Sequence, residues 1–77
     1  MEVFVYNVIW LRQYYGLSKK KMAEMLEISY WMLNKLEHGI LPPNLKIDIL
    51  FRIYTVFGIP MADILSVRLD SAESKEP

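Results

Sequence analysis

The sequence contains no cysteine, one histidine and three glycines among its 77 residues. The absence of cysteine excludes disulfide bonds and thiolate metal sites, and a single histidine cannot form a histidine cluster. No run of about 18 apolar residues occurs, so no segment predicts a transmembrane helix. The first residues include the acidic Glu2 and lack the basic stretch of a secretion signal. These absences predict a cytoplasmic protein that needs no cofactor, no metal and no membrane.

Net charge is also lacking, because nine basic residues balance nine acidic ones. The two signs are unevenly distributed. Residues 1–46 carry six basic and four acidic side chains, whereas residues 47–77 carry three basic and five acidic. The hydrophobic fraction is 53%, which is more apolar surface than one small core can hide and therefore predicts self-association.

Two short helical patterns, separated by a tight turn, lie between Leu17 and Gly39. Ser18 and Ser29 are good N-caps, because a serine hydroxyl can accept from backbone N–H groups in the first helical turn. Gly39 stands where a helix end favours a left-handed residue. Apolar residues follow both caps at helical spacing and predict the buried sides: Met22, Ala23, Leu26, Leu33 and Leu36.

These positions resemble the lambda-repressor-like, Cro/XRE-type helix-turn-helix family over about residues 7 to 65. The matching residues are Leu11, Arg12, Gly16, Leu17, Ser18, Met22, Ala23, Leu26, Ile28, Ser29, Leu33, Leu36, Glu37, Gly39, Phe57, Gly58, Ile59, Asp63, Ile64 and Leu65. The resemblance implies an all-α fold, a compact bundle of five short helices with the helix-turn-helix at about 18–38. It also implies a small sequence-specific DNA-binding transcriptional regulator that places its third helix, about 30–37, in the major groove of double-stranded DNA.

Two positions depart from the family pattern. Glu27 occupies a turn position that the family often fills with glycine, and a non-glycine residue at positive φ costs about 1 kcal/mol. The turn is therefore either slightly strained or differently shaped. Lys19 replaces a frequent glutamine, which keeps a phosphate donor but loses an amide that could brace a base-reading side chain.

The family roles, carried across position by position, assign base contacts to Tyr30, Trp31 and Lys35. Lys35 suits guanine N7 and O6, although it could also contact a phosphate or remain a solvated lysine. Trp31 either touches thymine methyl groups or belongs to the core, an interface or a partner-protein surface. Asn34 could pair with adenine through both ends of its amide, but it is expected slightly off the reading face.

Phosphate contacts are assigned to Ser18, Lys19, Lys20, Lys21, Ser29 and His38. Three lysines at the positive end of a helix are unfavourable by a few tenths of a kcal/mol each, and a bound phosphate would relieve that repulsion. The alternatives are an ordinary solvated charge run for the lysines and a helix-end contact for His38. Glu37 is expected to be structural and paired with Arg12.

The other helices follow from apolar spacing and breakers. The first helix is predicted from about residue 3 or 4 to 15, with Ile9 and Trp10 either in the core or in a subunit interface. Residues 40–45 are expected to form a stiff connection, because two prolines fix φ there. A fourth helix is predicted from Lys46 to Phe57, and a short fifth helix follows Pro60 with Met61, Ile64 and Leu65.

The fourth helix carries two apolar stripes. The predicted core stripe is Ile47, Leu50, Phe51, Tyr54 and Phe57. The second stripe consists of Ile49, Ile53 and Val56. It predicts a homodimer through the apolar surface of helices 4 and 5, and Ile9 and Trp10 are further candidates for that interface. The alternative is that the first and fifth helices cover both stripes. Residues 1–66 are predicted to form the domain, and residues 67–77 a polar, mobile tail.

Other function classes fit the sequence less well. An enzyme is not predicted, because no cysteine, histidine–carboxylate pair or glycine-rich phosphate loop is present. The alternative function is a protein-interaction module, for example antitoxin-like, that keeps the fold with weak or no DNA binding. Zero net charge and the aromatic pair Tyr30 and Trp31 favour this module. The lysine run at 19–21, together with Lys35, favours DNA.

Overall fold

A computed structural model describes residues 2–41 and 43–70 of the chain. These residues contain no strand and form five helices, in agreement with the all-α prediction: α1 Val3–Tyr14, α2 Lys19–Leu26, α3 Tyr30–Glu37, α4 Pro43–Phe57 and α5 Met61–Ser66. Within the described ranges, no helix combines the length and the apolar character needed to cross a bilayer.

The predicted caps form in the structure. Ser18 Oγ accepts from the backbone N–H of Lys21 at 3.1 Å, and Ser29 Oγ accepts from that of Met32 at 3.0 Å. Gly16 ends α1 with φ +64°, and the next N–H donates back to the Arg12 carbonyl at 2.8 Å. Such a left-handed turn satisfies carbonyls that the last helical turn leaves open. The boundaries of the first three helices therefore follow from local sequence signals.

Glu27 takes the left-handed conformation that the family position favours, with φ 59° and ψ 41°. It is the one non-glycine residue with positive φ among those described. The N–H of Ile28 then reaches back to the Ala23 carbonyl at 3.0 Å, so α2 ends as a glycine-terminated helix would. Arg52 Nη2 from α4 lies 3.1 Å from Glu27 Oε2. Of the two alternatives for this turn, the structure shows the slightly strained one, in which Glu27 adopts the left-handed conformation.

The core is formed by all five helices and includes every predicted apolar residue of the helix-turn-helix. Its fully buried members are Phe4, Val5, Val8, Leu11, Met22, Ala23, Leu26, Leu33, Leu36, Ile49, Leu50, Ile53 and Ile64. Ile9 and Trp10 are half-buried and pack against this core. Trp10 also stacks on Tyr14 with ring centroids 4.7 Å apart. The core alternative for Ile9 and Trp10 therefore describes the structure.

The two stripes of α4 are largely exchanged relative to the prediction, although Leu50 is buried and Phe57 packs against the core, as predicted. Ile49 and Ile53 are 1% and 0% exposed, whereas Ile47, Phe51 and Tyr54 are 71%, 54% and 51% exposed. Both stripes are apolar, so their spacing could not show which one faces α2 and α5, the helices that pack against α4. The prediction of a dimer surface containing Ile49 and Ile53 is wrong, because both side chains lie in the core. Val56, the third residue of that stripe, is exposed, at 36%.

Helix α4 also begins three residues earlier than predicted, at Pro43 instead of Lys46. Proline is well suited to the first turn of a helix, where its missing N–H has no intrahelical partner. The second proline of the predicted stiff connection therefore starts the helix. The alternative that α1 and α5 cover both stripes is also wrong, since the stripe of Ile47, Phe51 and Tyr54 remains exposed.

A buried asparagine holds the chain that follows α5. Asn7 is fully buried in α1, and its Nδ2 donates to the carbonyls of Ile64 at 2.9 Å and Val67 at 2.8 Å. The N–H of Leu69 donates to Asn7 Oδ1 at 3.0 Å. The packed domain thus extends past the predicted boundary at residue 66 to residue 70 at least. Of the predicted mobile tail at residues 67–77, residues 71–77 lie outside the described residues.

Tyr6 holds the same segment from its outer side. Its hydroxyl donates to Asp70 Oδ2 at 2.6 Å, and Arg68 Nη2 donates to the Tyr6 oxygen at 2.9 Å. The Arg68 guanidinium also lies 4.4 Å from the Tyr6 ring centroid. The interaction with Tyr6, its hydrogen bond first, raises the pKa of Arg68 above its usual value, and the charge of Asp70 adds to the shift. This contact secures residues that have few apolar side chains to bury.

Candidate nucleic-acid interface

Helices α2 and α3 pack together and are joined by the turn at residues 27–29. Leu33 and Leu36 of α3 are fully buried, and Met32 is half-buried beside them. Because these residues orient α3, its opposite side faces away from the domain. That side carries every residue assigned to base contact.

The N-terminal turn of α3 presents two aromatic rings to solvent. Trp31 is 72% exposed and Tyr30 is 47% exposed. Their rings meet edge to face, with centroids 6.1 Å apart and planes at 87°. Lys35 is exposed one turn further on. The structure thus places Trp31 on the surface of α3, which excludes the core alternative for this residue.

Asn34 lies within this exposed face. At about 100° per residue, it projects between the directions of Tyr30 and Trp31, one turn along the helix. Its side chain is half-buried because Lys19 lies against it.

Lys19 contacts α3 directly. Its Nζ donates to Asn34 Oδ1 at 2.9 Å. The replacement of an amide by Lys19 was expected to lose a brace for a base-reading side chain, whereas the ammonium here contacts Asn34, one of the candidate base contacts. Lys20 and Lys21 are exposed beside it in the first turn of α2. The lysine run and the outer side of α3 consequently form one continuous surface.

The other residues assigned to phosphate contact lie at helix ends. Ser18 and Ser29 accept the capping bonds described above, which leaves each hydroxyl proton able to donate. His38 Nδ1 lies 2.7 Å from the Asn34 carbonyl oxygen. A carbonyl can only accept, so Nδ1 carries the proton and Nε2 points away from this bond. His38 thus makes the helix-end contact, and a phosphate contact through its exposed ring remains a prediction.

The pairing of Glu37 with Arg12 is confirmed. Arg12 Nε and Nη2 donate to the two carboxylate oxygens of Glu37 at 2.7 and 3.2 Å, and Nη1 donates to the Leu17 carbonyl at 3.2 Å. Arg52, which supports the turn at Glu27, was not predicted to take part. No local pattern marks it, because its contact joins residues far apart in the chain. No group of residues in the described ranges could hold a metal ion.

Comparison with known proteins agrees with this geometry. The sequence pattern of the helix-turn-helix family matches residues 8–64. Two relatives are the HTH-type transcriptional regulators RamB of Mycobacterium tuberculosis strains CDC 1551/Oshkosh and H37Rv, each 45% identical over 49 residues, or 64% of this chain. The chain spans about a tenth of the length of these curated relatives, 10% in each case. No solved structure matches the chain. The match over most of the folded residues shows that this chain belongs to the helix-turn-helix family, as the Cro/XRE-type resemblance implied.

Proposed function

We propose that this protein is a sequence-specific DNA-binding transcriptional regulator that inserts α3 into the major groove. Its family and the printed names of its relatives support this role. A binding role is proposed in preference to an enzymatic one. A cytoplasmic location follows from the proposal, because the protein must reach DNA, and cell fractionation tests it.

The observation that carries the proposal is the bond between Lys19 Nζ and Asn34 Oδ1 at 2.9 Å. It joins the cationic first turn of α2 to the outer side of α3, so that positive charge lies beside the residues that would face bases. The major groove is about 12 Å wide and admits one helix. Inserting α3 brings Lys20 and Lys21 close to the adjacent phosphates.

The residues then divide into two groups. Contacts to phosphates position a protein without reading sequence, whereas contacts to base edges specify it. We assign base contacts to Tyr30, Trp31, Asn34 and Lys35. We assign phosphate contacts to Ser18, Lys19, Lys20, Lys21, Ser29 and His38.

Zero net charge predicts modest affinity for one copy of the chain, so we propose a homodimer that reads two half-sites about 34 Å apart. The proposed contact is the outer α4 face, defined as Ile47, Phe51 and Tyr54, which are spaced i, i+4 and i+7 and are each more than half exposed. An open groove of about 560 Å³ continues this face to Ile28 beside the helix-turn-helix turn. A second copy would cover apolar surface that the five helices leave in water.

The test is selection from a random duplex pool across a salt series, with sequencing of the retained duplexes. The expected result is a linear fall of log affinity with log salt, with a slope of about −0.9 per phosphate contacted. The retained pool should contain an inverted repeat. Undetectable binding at about 50 mM salt contradicts the proposal, and Tyr30 and Trp31 would then indicate a protein-binding surface instead.

A further inference from the structure

The contact between Lys19 and Asn34 defines the orientation of the asparagine amide. Lys19 is the first residue of α2, and its Nζ donates to Asn34 Oδ1 at 2.9 Å. An ammonium has three donors and no acceptor, so it cannot face the amide nitrogen of Asn34. The oxygen of the amide therefore points to Lys19, and Nδ2 points away from it.

The rest of Asn34 is held in place as well. His38 donates to its backbone carbonyl at 2.7 Å. No residue in the part of the chain that the structure describes accepts a hydrogen bond from Asn34 Nδ2. Asn34 leaves α3 between the directions of Tyr30 and Trp31, and this nitrogen has no partner among the described residues, so it is available to a base in the groove.

The Lys19 ammonium faces Asn34 Oδ1, the one acceptor of the pair, so Lys19 and Asn34 together turn donors toward a base. Asn34 offers the two N–H groups of Nδ2, and Lys19 Nζ offers the N–H groups that it does not use on Oδ1. Adenine shows an acceptor, N7, beside a donor, the N6 amino group, and that donor would face the ammonium of Lys19. Guanine shows two acceptors, N7 and O6.

We propose that Lys19 and Asn34 act as one donor-only pair that selects guanine over adenine in the major groove. The proposal rests on the DNA-binding function proposed above. It differs from what each residue indicates alone, since Asn34 by itself favours adenine and Lys19 by itself favours a phosphate.

The experiment uses the best duplex from the random pool. Asn34→Ala identifies the base pair that Lys19 and Asn34 read, because the preference for one base should disappear at that position of the duplex. The four base pairs are then compared there by fluorescence anisotropy. Wild-type protein should bind the guanine duplex about tenfold more tightly than the adenine duplex. Replacing that guanine by 7-deazaguanine, which lacks N7, should remove most of the advantage.

Lys19→Met separates the pair from a simple phosphate contact. Methionine keeps an unbranched apolar stem and frees Asn34 Oδ1 to accept from adenine N6, so the preference should move from guanine to adenine. Lys20→Met is the matched control, since it removes a neighbouring cation and should weaken all four duplexes by the same factor. Thermal unfolding of each variant checks that the fold is unchanged.

Two results overturn the proposal while DNA binding stands. One is a wild-type preference for adenine at the identified base pair. The other is an unchanged order of the four duplexes in Lys19→Met, which would make Lys19 a phosphate contact. If wild-type protein binds no duplex, the proposed function itself fails and this proposal fails with it.

Discussion

Arg12 and Glu37 form a two-point ion pair that joins α1 to the last turn of α3. Two guanidinium nitrogens lie 2.7 and 3.2 Å from the two carboxylate oxygens. The Glu37 side chain is only 6% exposed and that of Arg12 is 17% exposed. Because α3 carries the candidate base contacts, this pair helps to set the orientation of the whole site relative to the core.

Glu37→Gln should lower the free energy of unfolding by about 3 kcal/mol, because it leaves the Arg12 charge largely buried without its counter-charge. Urea denaturation followed by circular dichroism measures the change. Glu27→Gln is the matched control, since its ion pair with Arg52 has a carboxylate side chain that is 67% exposed. The control should change stability by less than about 1 kcal/mol, and equal effects of the two substitutions would contradict the structural role of Glu37.

Asn7→Leu should destabilise the domain by about 3 kcal/mol, because two carbonyls and the N–H of Leu69 lose their partner inside the protein. Hydrogen exchange should speed up first at the Leu69 amide, which donates to Asn7 Oδ1. Asn44→Leu is the control, because Asn44 is exposed near the start of α4. Slow exchange at Leu69 in the Asn7 variant would show that residues 67–70 are held by other contacts.

Glu27→Val should lower the free energy of unfolding by about 1 to 2 kcal/mol, since a β-branched residue is a pronounced outlier at positive φ. Glu27→Gly occupies the same conformation without a Cβ and should not show this loss. Thermal unfolding of both variants, with wild type beside them, makes the comparison. A valine variant as stable as the glycine variant would mean that the turn does not keep its left-handed shape in solution.

Phe51→Glu should convert the proposed homodimer into monomers and leave the fold intact, because Phe51 is 54% exposed. Sedimentation velocity at micromolar concentration, with and without DNA, measures the assembly. Ile53→Glu is the contrasting variant and should unfold the domain, since a carboxylate would be buried in the core without a partner. A wild-type monomer under both conditions contradicts the homodimer, and a dimeric Phe51 variant places the interface elsewhere.

Lys35→Ala should weaken binding to preferred sites by about 1 to 3 kcal/mol and relax specificity at one position. Lys20→Ala should weaken all sequences about equally and reduce the salt slope by about 1. Lys46→Ala is the control, because Lys46 lies in α4 and pairs with Glu2 at 3.3 Å. Uniform weakening by the Lys35 variant would reassign that residue from a base to a phosphate.

Much of the candidate site could be predicted because its signals are local. The caps at Ser18 and Ser29 and the spacing of Leu33 and Leu36 settle which side of α3 faces outward. Asn7 could have been found in the same way, since it stands three residues after Phe4 and four before Leu11, on the buried side of α1. A polar residue at such a position needs internal partners. The sequence did not identify those partners, because they lie in α5 and just after it, more than fifty residues along the chain.

By itself, the sequence determined the five helices and the outward side of α3. Caps, breakers and helical spacing act over a few residues, so each can be recognised without its neighbours in space. Tertiary structure alone decided which apolar stripe of α4 is buried and that Lys19 reaches Asn34. Both outcomes depend on how helices cross. Two stripes of similar apolarity become distinguishable only when α2 and α5 pack on one of them and remove it from water. A lysine can contact an asparagine of another helix only where the two helix axes come close.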